Sequence, residues 1–307
     1  MGPLPKIYHI LCPSFHGSSV LCMLLNNHSR VRAIADANPL RGQNNCLCGQ
    51  GFYDCDFWTR MREATDYDES EPYKSLIPSM PHFVAKEGTN AKINHILCHL
   101  AHKFGPKVWK LAGGKPARIF FEKYQHFVEG AAAYNDCEII VDAEKHVLKT
   151  TCWQTMGGRL DGIIHLIRDP RPFARSGMLA HKRDDAAFYG RKWRHEHRMI
   201  EHYKKFLPAK KVLTLRYEDL VARPQDAMET LFDFLDVPAE DVFCPVKDPA
   251  KNHMYGNVAI QEFDGTIRPS EKWREYLSAE QQREIVRLTQ PAFGRYGYSA
   301  SSGNAKS

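Results

Sequence analysis

The sequence predicts an α/β fold: a single domain with a central parallel sheet flanked by helices. Three observations carry this. Short, almost wholly apolar, β-prone segments recur along the chain, they alternate with helical patterns, and the first runs through a Gly-Ser-Ser turn directly into a helix. Strands without a polar face need cover on both sides, which crossover helices supply. The composition agrees. With 307 residues, 43% hydrophobic and 25% charged, collagen-like, low-complexity and largely disordered readings are excluded. A formal net charge of +6 is mild for this length and suits an anionic small ligand as well as nucleic acid. The longest apolar run, Val20 to Leu25, has six residues, against the ~18 needed to cross a membrane. The start, Met-Gly-Pro-Leu-Pro-Lys, has no signal-peptide core, and Lys6 stands where a myristoylation signal needs Ser or Thr. A cytoplasmic protein is expected.

The elements follow in order. Lys6 to Cys12 is a strand ended by Pro13. Ser14-Phe-His-Gly-Ser-Ser19 is a turn, and Val20, Leu21, Leu24 and Leu25 then recur at helical spacing. A short strand is expected at Val31 to Ala35, ending at Asp36. From Asn38 to Pro81 no period is visible, and the segment reads as a long excursion carrying short helices. Helices are predicted at Lys92 to Phe104 and Arg118 to Tyr134, and buried strands at Cys137 to Asp142 and Asp161 to Ile167. Arg168-Asp-Pro-Arg-Pro opens another helix, with prolines suited to a first turn. Helices at Ala186 to Phe206 and Gln225 to Leu235 flank a strand at Lys211 to Leu215. Further helices fall at Glu271 to Tyr276 and Ala279 to Leu288. No linker divides the chain, so one domain is expected over residues 1–300, with 301–307 a frayed tail.

Nine cysteines in a chain of this length read as reduced thiols, not staples. Cys46, Cys48 and Cys55 cluster, but Cys46 and Cys48 have one residue between them where zinc pairs have two to four, and no fourth ligand is near in sequence. A packed Cys-rich loop is expected, and no metal.

The Gly17-Ser18-Ser19 turn offers backbone N–H groups and two hydroxyls at a helix N-terminus, an arrangement that favours a phosphate or sulfate group. It lacks the lysine of the Gly-x-x-x-x-Gly-Lys-Ser/Thr nucleotide loop and the three glycines of the dinucleotide turn. A second anion site is suggested by Arg168 at a strand end with Ser176 eight residues on. Two anion sites at strand ends of one sheet call for a ligand with two separated phosphate-like groups.

At this point the chain resembles the bacterial-type sulfotransferases that use 3′-phosphoadenosine 5′-phosphosulfate (PAPS). Phe15-His16-Gly17-Ser18-Ser19-Val20-Leu21 is similar to their 5′-phosphosulfate loop, and Arg168 with Ser176 to their 3′-phosphate element. Leu215-Arg-Tyr217-Glu-Asp-Leu, His253 to Asn257, Trp273 to Ser278, and Arg295-Tyr-Gly-Tyr298 match further stretches in register. Cys46-Leu-Cys-Gly with Cys55-Asp-Phe-Trp58 is similar to an insert in bacterial members. The resemblance implies that Phe15, His16, Gly17, Ser18, Ser19 and Val20 form the phosphosulfate loop. It also implies that Arg168 and Ser176 hold the 3′-phosphate, and that Tyr217, Gly256 and Asn257 help frame the nucleotide. The expected partner is a small-molecule acceptor, not nucleic acid or a membrane.

The sequence also departs from the family. Phe15 replaces the loop's Lys or Arg, His16 replaces a Ser, and Ala259-Ile-Gln stands where an Arg is usual. Sulfuryl transfer relies on positive charge at the developing oxyanions. The resemblance offers Lys145, after the strand ending at Asp142, as the replacement cation, with Arg159 or Lys149 in reserve. For the base it offers Asp36, His16 and His146. A catalytically silent 3′,5′-nucleotide-binding relative and a P-loop kinase are the alternatives.

Overall fold

The computed structural model describes residues 4–34, 46–67, 91–112, 114–143, 145–245, 252–253 and 263–299. Its frame is the expected one. Five parallel strands, β1 (Lys6–Leu11), β2 (Val31–Ile34), β3 (Ile139–Asp142), β4 (Gly162–Ile167) and β5 (Val212–Arg216), form one sheet in the order β2-β3-β1-β4-β5. β2, β3 and β4 are buried at every position, which is why they read as mostly apolar, with one buried polar residue each in Arg32, Asp142 and His165.

One face of the sheet packs on α1 (Ser18–Asn26) and α10 (Pro224–Leu235). Tyr8, Ile10, Val141, Ile164 and Leu215 meet Leu21, Leu24 and Leu231 there. The other face is covered by a helical layer. Its members are α2 (Asp56–Ala64), α3 (Ala91–Phe104), α4 (Pro106–Ala112), α5 (Gly114–Asn135), α6 (Val147–Thr155), α7 (Pro170–His181) and α8 (Ala186–Lys204). α9 (Tyr217–Ala222) follows β5, and α11 (Trp273–Tyr276), α12 (Ala279–Thr289) and α13 (Ala292–Arg295) close the chain against α7 and α8.

Four of these helices, α4, α6, α9 and α13, have no counterpart in the sequence reading. In α6 the run Val-Leu-Lys-Thr-Thr-Cys-Trp-Gln-Thr is β-branched and has no clear polar face. Tertiary burial holds it, since Lys149, Thr150, Thr151, Cys152 and Trp153 are all buried. The threonine hydroxyls satisfy themselves by donating back to carbonyls one turn earlier, Thr151 to Val147 at 2.8 Å and Thr155 to Thr151 at 2.6 Å.

The strand order places a crevice. From β1 the chain leaves across β3 to β2, whereas from β4 it leaves the opposite way to β5. Ligands of open α/β sheets bind where neighbouring strands part in this way, beyond their carboxyl ends. Here that point lies between β1, which runs into the Ser14–Ser19 turn, and β4, which ends at Arg168.

Candidate phosphate-binding crevice

After β1 the backbone makes a tight turn, with Phe15 at φ 63° and Gly17 at φ 87°. Gly17 is the N-cap of α1 and contributes no side-chain cap, and the first turn of α1 holds no acidic residue. The N–H groups at the start of the helix therefore stay available to an anion, and the helix dipole favours one.

Three residues singled out in the sequence meet here. The Arg168 side chain donates from Nη1 to the Phe15 carbonyl at 2.8 Å, closing the crevice between β1 and β4. Its guanidinium lies 4.6 Å over the ring of Tyr217, the first residue after β5. The same ring covers Gly17 so closely that a Cβ there would fall 2.3 Å from Tyr217 Cδ2. Glycine is thus required at 17 twice over, by its φ and by the ring above it. Arg168 keeps further donors of its fork for a ligand. Neighbouring bonds hold the strand end: the Trp193 indole donates to the Arg168 carbonyl at 2.9 Å, and Asp169 N–H to Glu218 at 2.9 Å. Glu218 also accepts from the Tyr298 hydroxyl at 2.7 Å.

Ser18 is buried, while Ser19, Val20 and Ser176 are half-buried; Ser176 lies on α7, the helix opened by the Arg168 strand end. The Phe15 ring turns to α7, against Phe173 and His181. Lys145 follows β3 with φ 73°, a second non-glycine residue in the left-handed region at this edge of the sheet. Its charge is felt at Cys12 and His16, and it has no ion-pair partner among the described residues.

The reserve cations are placed elsewhere. Lys149 is buried, donates to Asp142 at 2.8 Å and lies over the Tyr124 ring. Arg159 is tied to Asp161 and the Leu4 carbonyl, at the amino end of the sheet. Asp36, Gly256 and Asn257 lie outside the described residues. His146 is exposed at the N-cap of α6.

The His16 side chain is directed into the core, fully buried. Its Nδ1 is 3.1 Å from the Ser14 carbonyl, and its Nε2 is 3.0 Å from His197 Nε2. His197 Nδ1 in turn lies 2.8 Å from His165 Nε2. A carbonyl only accepts, so Nδ1 of His16 carries the proton and its Nε2 accepts from His197. A neutral His197 that donates from Nε2 has only a lone pair at Nδ1, so it accepts there from His165 Nε2–H. His165 Nδ1 faces both Glu201 Oε1 at 3.4 Å and Lys204 Nζ at 3.5 Å, and Lys204 donates to Glu201 at 2.8 Å. The Ser14 carbonyl thus sets the tautomer of His16 and the direction of its bond to His197. Burial, joined by the charges of Arg168 and Lys145 and opposed by the Ser14 carbonyl, pushes His16 down to about 3. Burial likewise lowers His197 and His165. The row ends at the wall of a cavity of about 700 Å³ lined by Arg194, Arg198, Glu201, Lys205, Arg295 and Tyr296 among others, and by no residue of the turn. Nothing in the sequence marks this row, because its members are separated by 32 and 181 residues.

Comparison with known proteins agrees with this geometry. The sheet is all parallel, with a tight turn and an uncapped helix after β1 and an arginine after β4. Residues 162–241, from β4 to just beyond α10, match the model of the sulfotransferase family. The sulfotransferase domain from the Synechococcus PCC 7002 olefin synthase superposes with a TM-score of 0.55 at 18% identity, covering 97% of this chain and 96% of that one. The sulfotransferase domain from the curacin biosynthetic pathway gives 0.53 at 16% identity, covering 97% and 99%. Sulfotransferase STF9 from Mycobacterium avium gives 0.51 at 12% identity, covering 97% and 78%. No curated protein sequence matches the chain. The chain thus shares the fold of bacterial sulfotransferases and carries the sulfotransferase family signature over residues 162–241.

Two outcomes are expected. Gly17→Ala forces Tyr217 off the turn and should weaken binding of adenosine 3′,5′-bisphosphate by about tenfold or more, an affinity loss of about 1.4 kcal/mol; unchanged affinity by calorimetry would mean the ring does not govern the turn. The histidine row makes stability depend on pH. Its folded-state pKa values lie below the ordinary 6.5, so the unfolded chain binds more protons in acid. Stability should be flat above pH ~7 and fall as the pH drops below ~6.5, with more than one proton taken up on unfolding. A flat urea-denaturation profile from pH ~7 to ~4.5 contradicts the neutral row.

Proposed function

We propose that the protein is a PAPS-dependent sulfotransferase acting in the cytoplasm on a hydroxyl or amine of a small molecule. The observation that carries this reading is the junction of Arg168, the Phe15 carbonyl, Tyr217 and Gly17 at the start of an uncapped helix. The family signature and fold support sulfuryl transfer as its chemistry. In this reading the N–H groups of Gly17, Ser18 and Ser19 and the serine hydroxyls hold the 5′-phosphosulfate, assisted by Phe15, His16 and Val20 as backbone. Arg168 and Ser176 hold the 3′-phosphate, and Tyr217, Gly256 and Asn257 frame the nucleotide.

The reaction is an in-line displacement. The acceptor oxygen or nitrogen forms a bond to sulfur as the bond from sulfur to the bridging oxygen of the 5′-phosphate breaks. The acceptor proton passes to a base, and adenosine 3′,5′-bisphosphate leaves. Positive charge near the bridging oxygen lowers the barrier, because negative charge grows there in the transition state. Lys145 is assigned that role: its field reaches the turn beside that of Arg168, and no described carboxylate neutralises it. Asp36 is assigned as the base. Both nitrogens of His16 are engaged by Ser14 and His197, so its ring serves the turn by holding it and not by taking a proton. The fold shared with domains of the curacin pathway and of an olefin synthase supports an acceptor from specialised metabolism.

Radiolabelled PAPS incubated with an acceptor panel tests the reading directly. Label should move to at least one hydroxyl or amine acceptor, whereas ATP with Mg²⁺ should give no phosphoryl transfer. Tight nucleotide binding with no transfer to any acceptor would favour the silent relative. With an acceptor found, Lys145→Ala should lower kcat by about tenfold or more while affinity for adenosine 3′,5′-bisphosphate changes little, the pattern of a contact made in the transition state. A mutant keeping more than half of its turnover removes Lys145 from the mechanism.

A further inference from the structure

We propose that Cys46, Cys48, Cys55 and His253 form a structural zinc site. The inference rests on no reading of the reaction, and it corrects the expectation of a packed loop without a fourth ligand. The fold supplies that ligand from 198 residues beyond Cys55.

The four donor atoms lie within 4.8 Å of one another. His253 Nδ1 is 3.6 Å from Cys46 Sγ and 3.4 Å from Cys55 Sγ, and Cys48 Sγ is 3.6 Å from Cys55 Sγ. A tetrahedral zinc, with Zn–S near 2.3 Å and Zn–N near 2.0 Å, sets donor edges of about 3.8 Å between sulfurs and about 3.5 Å between sulfur and nitrogen. The observed separations match those edges and are far longer than the ~2.05 Å of a disulfide. All nine cysteines are free.

The alternative is a cluster of thiols hydrogen-bonded to an imidazole. Geometry weighs against it. One ring nitrogen offers one proton or one lone pair in the ring plane, yet two sulfurs converge on His253 Nδ1 at similar distance. Convergence of three sulfurs and one nitrogen on a common centre is what a shared ion produces.

The surroundings are built to hold this arrangement. Cys46 and Cys48 sit on a turn closed by Cys46 N–H to the Gln50 carbonyl and Gly49 N–H to the Cys46 carbonyl, both 2.8 Å, with Gly49 at φ 85°. That turn lets a pair with one intervening residue aim both thiols inward. Cys55 is the N-cap of α2. The next residue but one, Phe57, stacks on the His253 ring at 4.5 Å and 5° and fixes its plane. Cys46, Cys55 and His253 are buried and Cys48 is half-buried, so the site is closed, with four protein donors and no open position for substrate. Closure and the soft donor set select a structural zinc over a catalytic ion or a hard cation. Binding would release three thiol protons, leaving three thiolates and a neutral imidazole on the metal. Its effect would be to pin the start of α2 to the segment at Asn252–His253, contacts that span most of the chain.

The test is metal analysis of the full chain, purified without a polyhistidine tag from zinc-supplemented culture. About one zinc per chain is expected, released on titration of the thiols with a mercurial. Cys55→Ser and His253→Ala should lose most of the metal, whereas Cys137→Ser should keep it. Should those variants fail to fold, Co²⁺ exchanged into the wild type gives an independent reading. Intense visible d–d bands and a near-ultraviolet thiolate charge-transfer band would establish a tetrahedral sulfur-rich centre. Less than about 0.1 zinc per chain, with no such spectrum on adding Co²⁺ to the reduced protein, overturns the proposal.

Discussion

The hydrogen bond from Arg168 to the Phe15 carbonyl is the contact on which the rest of the crevice depends. It joins the ends of two neighbouring strands whose chains then part in opposite directions, and so decides how wide the crevice opens. The guanidinium that makes it also supports Tyr217, and Tyr217 closes over Gly17. A cation, an aromatic face and a glycine backbone are therefore set by one interaction. What remains is a helix start without a side-chain cap and an arginine with donors to spare, groups that complement anionic oxygens.

Positive charge concentrated in this way has consequences for the groups behind it. Arg168 and Lys145 both disfavour a proton on His16, in the same direction as its burial. The turn can rest on a neutral histidine row because nothing near it needs a counter-charge. This arrangement also accounts for the two unusual residues of the turn. Phe15 lays its ring on Phe173 and His181, anchoring the turn to α7 through apolar contact, and His16 anchors it to α8 through His197. The turn gains two attachments to the helical layer.

Much of this was legible in the sequence, for a physical reason. Strands buried on both faces are largely apolar, so Cys137 to Asp142 and Asp161 to Ile167 stood out against their surroundings, and their alternation with helices predicted a parallel sheet, while the strand order came from the structure. Gly17, Arg168 and Tyr217 could be named as motif members. Their mutual contact could not, because it depends on how three loops from different strands converge. α6 escaped notice because its threonines satisfy their hydroxyls locally and its helix is held by burial. The histidine row and His253 are further cases: each joins residues far apart in sequence, and a lone histidine among 15 carries no mark of its partner. Cys46, Cys48 and Cys55 were visible as a cluster, while the residue that gives the cluster a chemistry was 198 positions beyond the last of them.

The central claim is that Arg168, held by the Phe15 carbonyl and Tyr217, reads a 3′-phosphate. It is tested most directly by calorimetric titration with adenosine 3′,5′-bisphosphate and with adenosine 5′-phosphate, in the wild type and in Arg168→Ala. Because Arg168 also holds the turn, both ligands should weaken in the mutant, and the informative quantity is the ratio of the two Kd values. A charge-assisted contact at a half-buried site contributes about 2–3 kcal/mol, so the wild type should prefer the bisphosphate by about two orders of magnitude. In the mutant that preference should collapse towards unity. A wild type that does not distinguish the two nucleotides, or a mutant that keeps the full preference, would contradict the account.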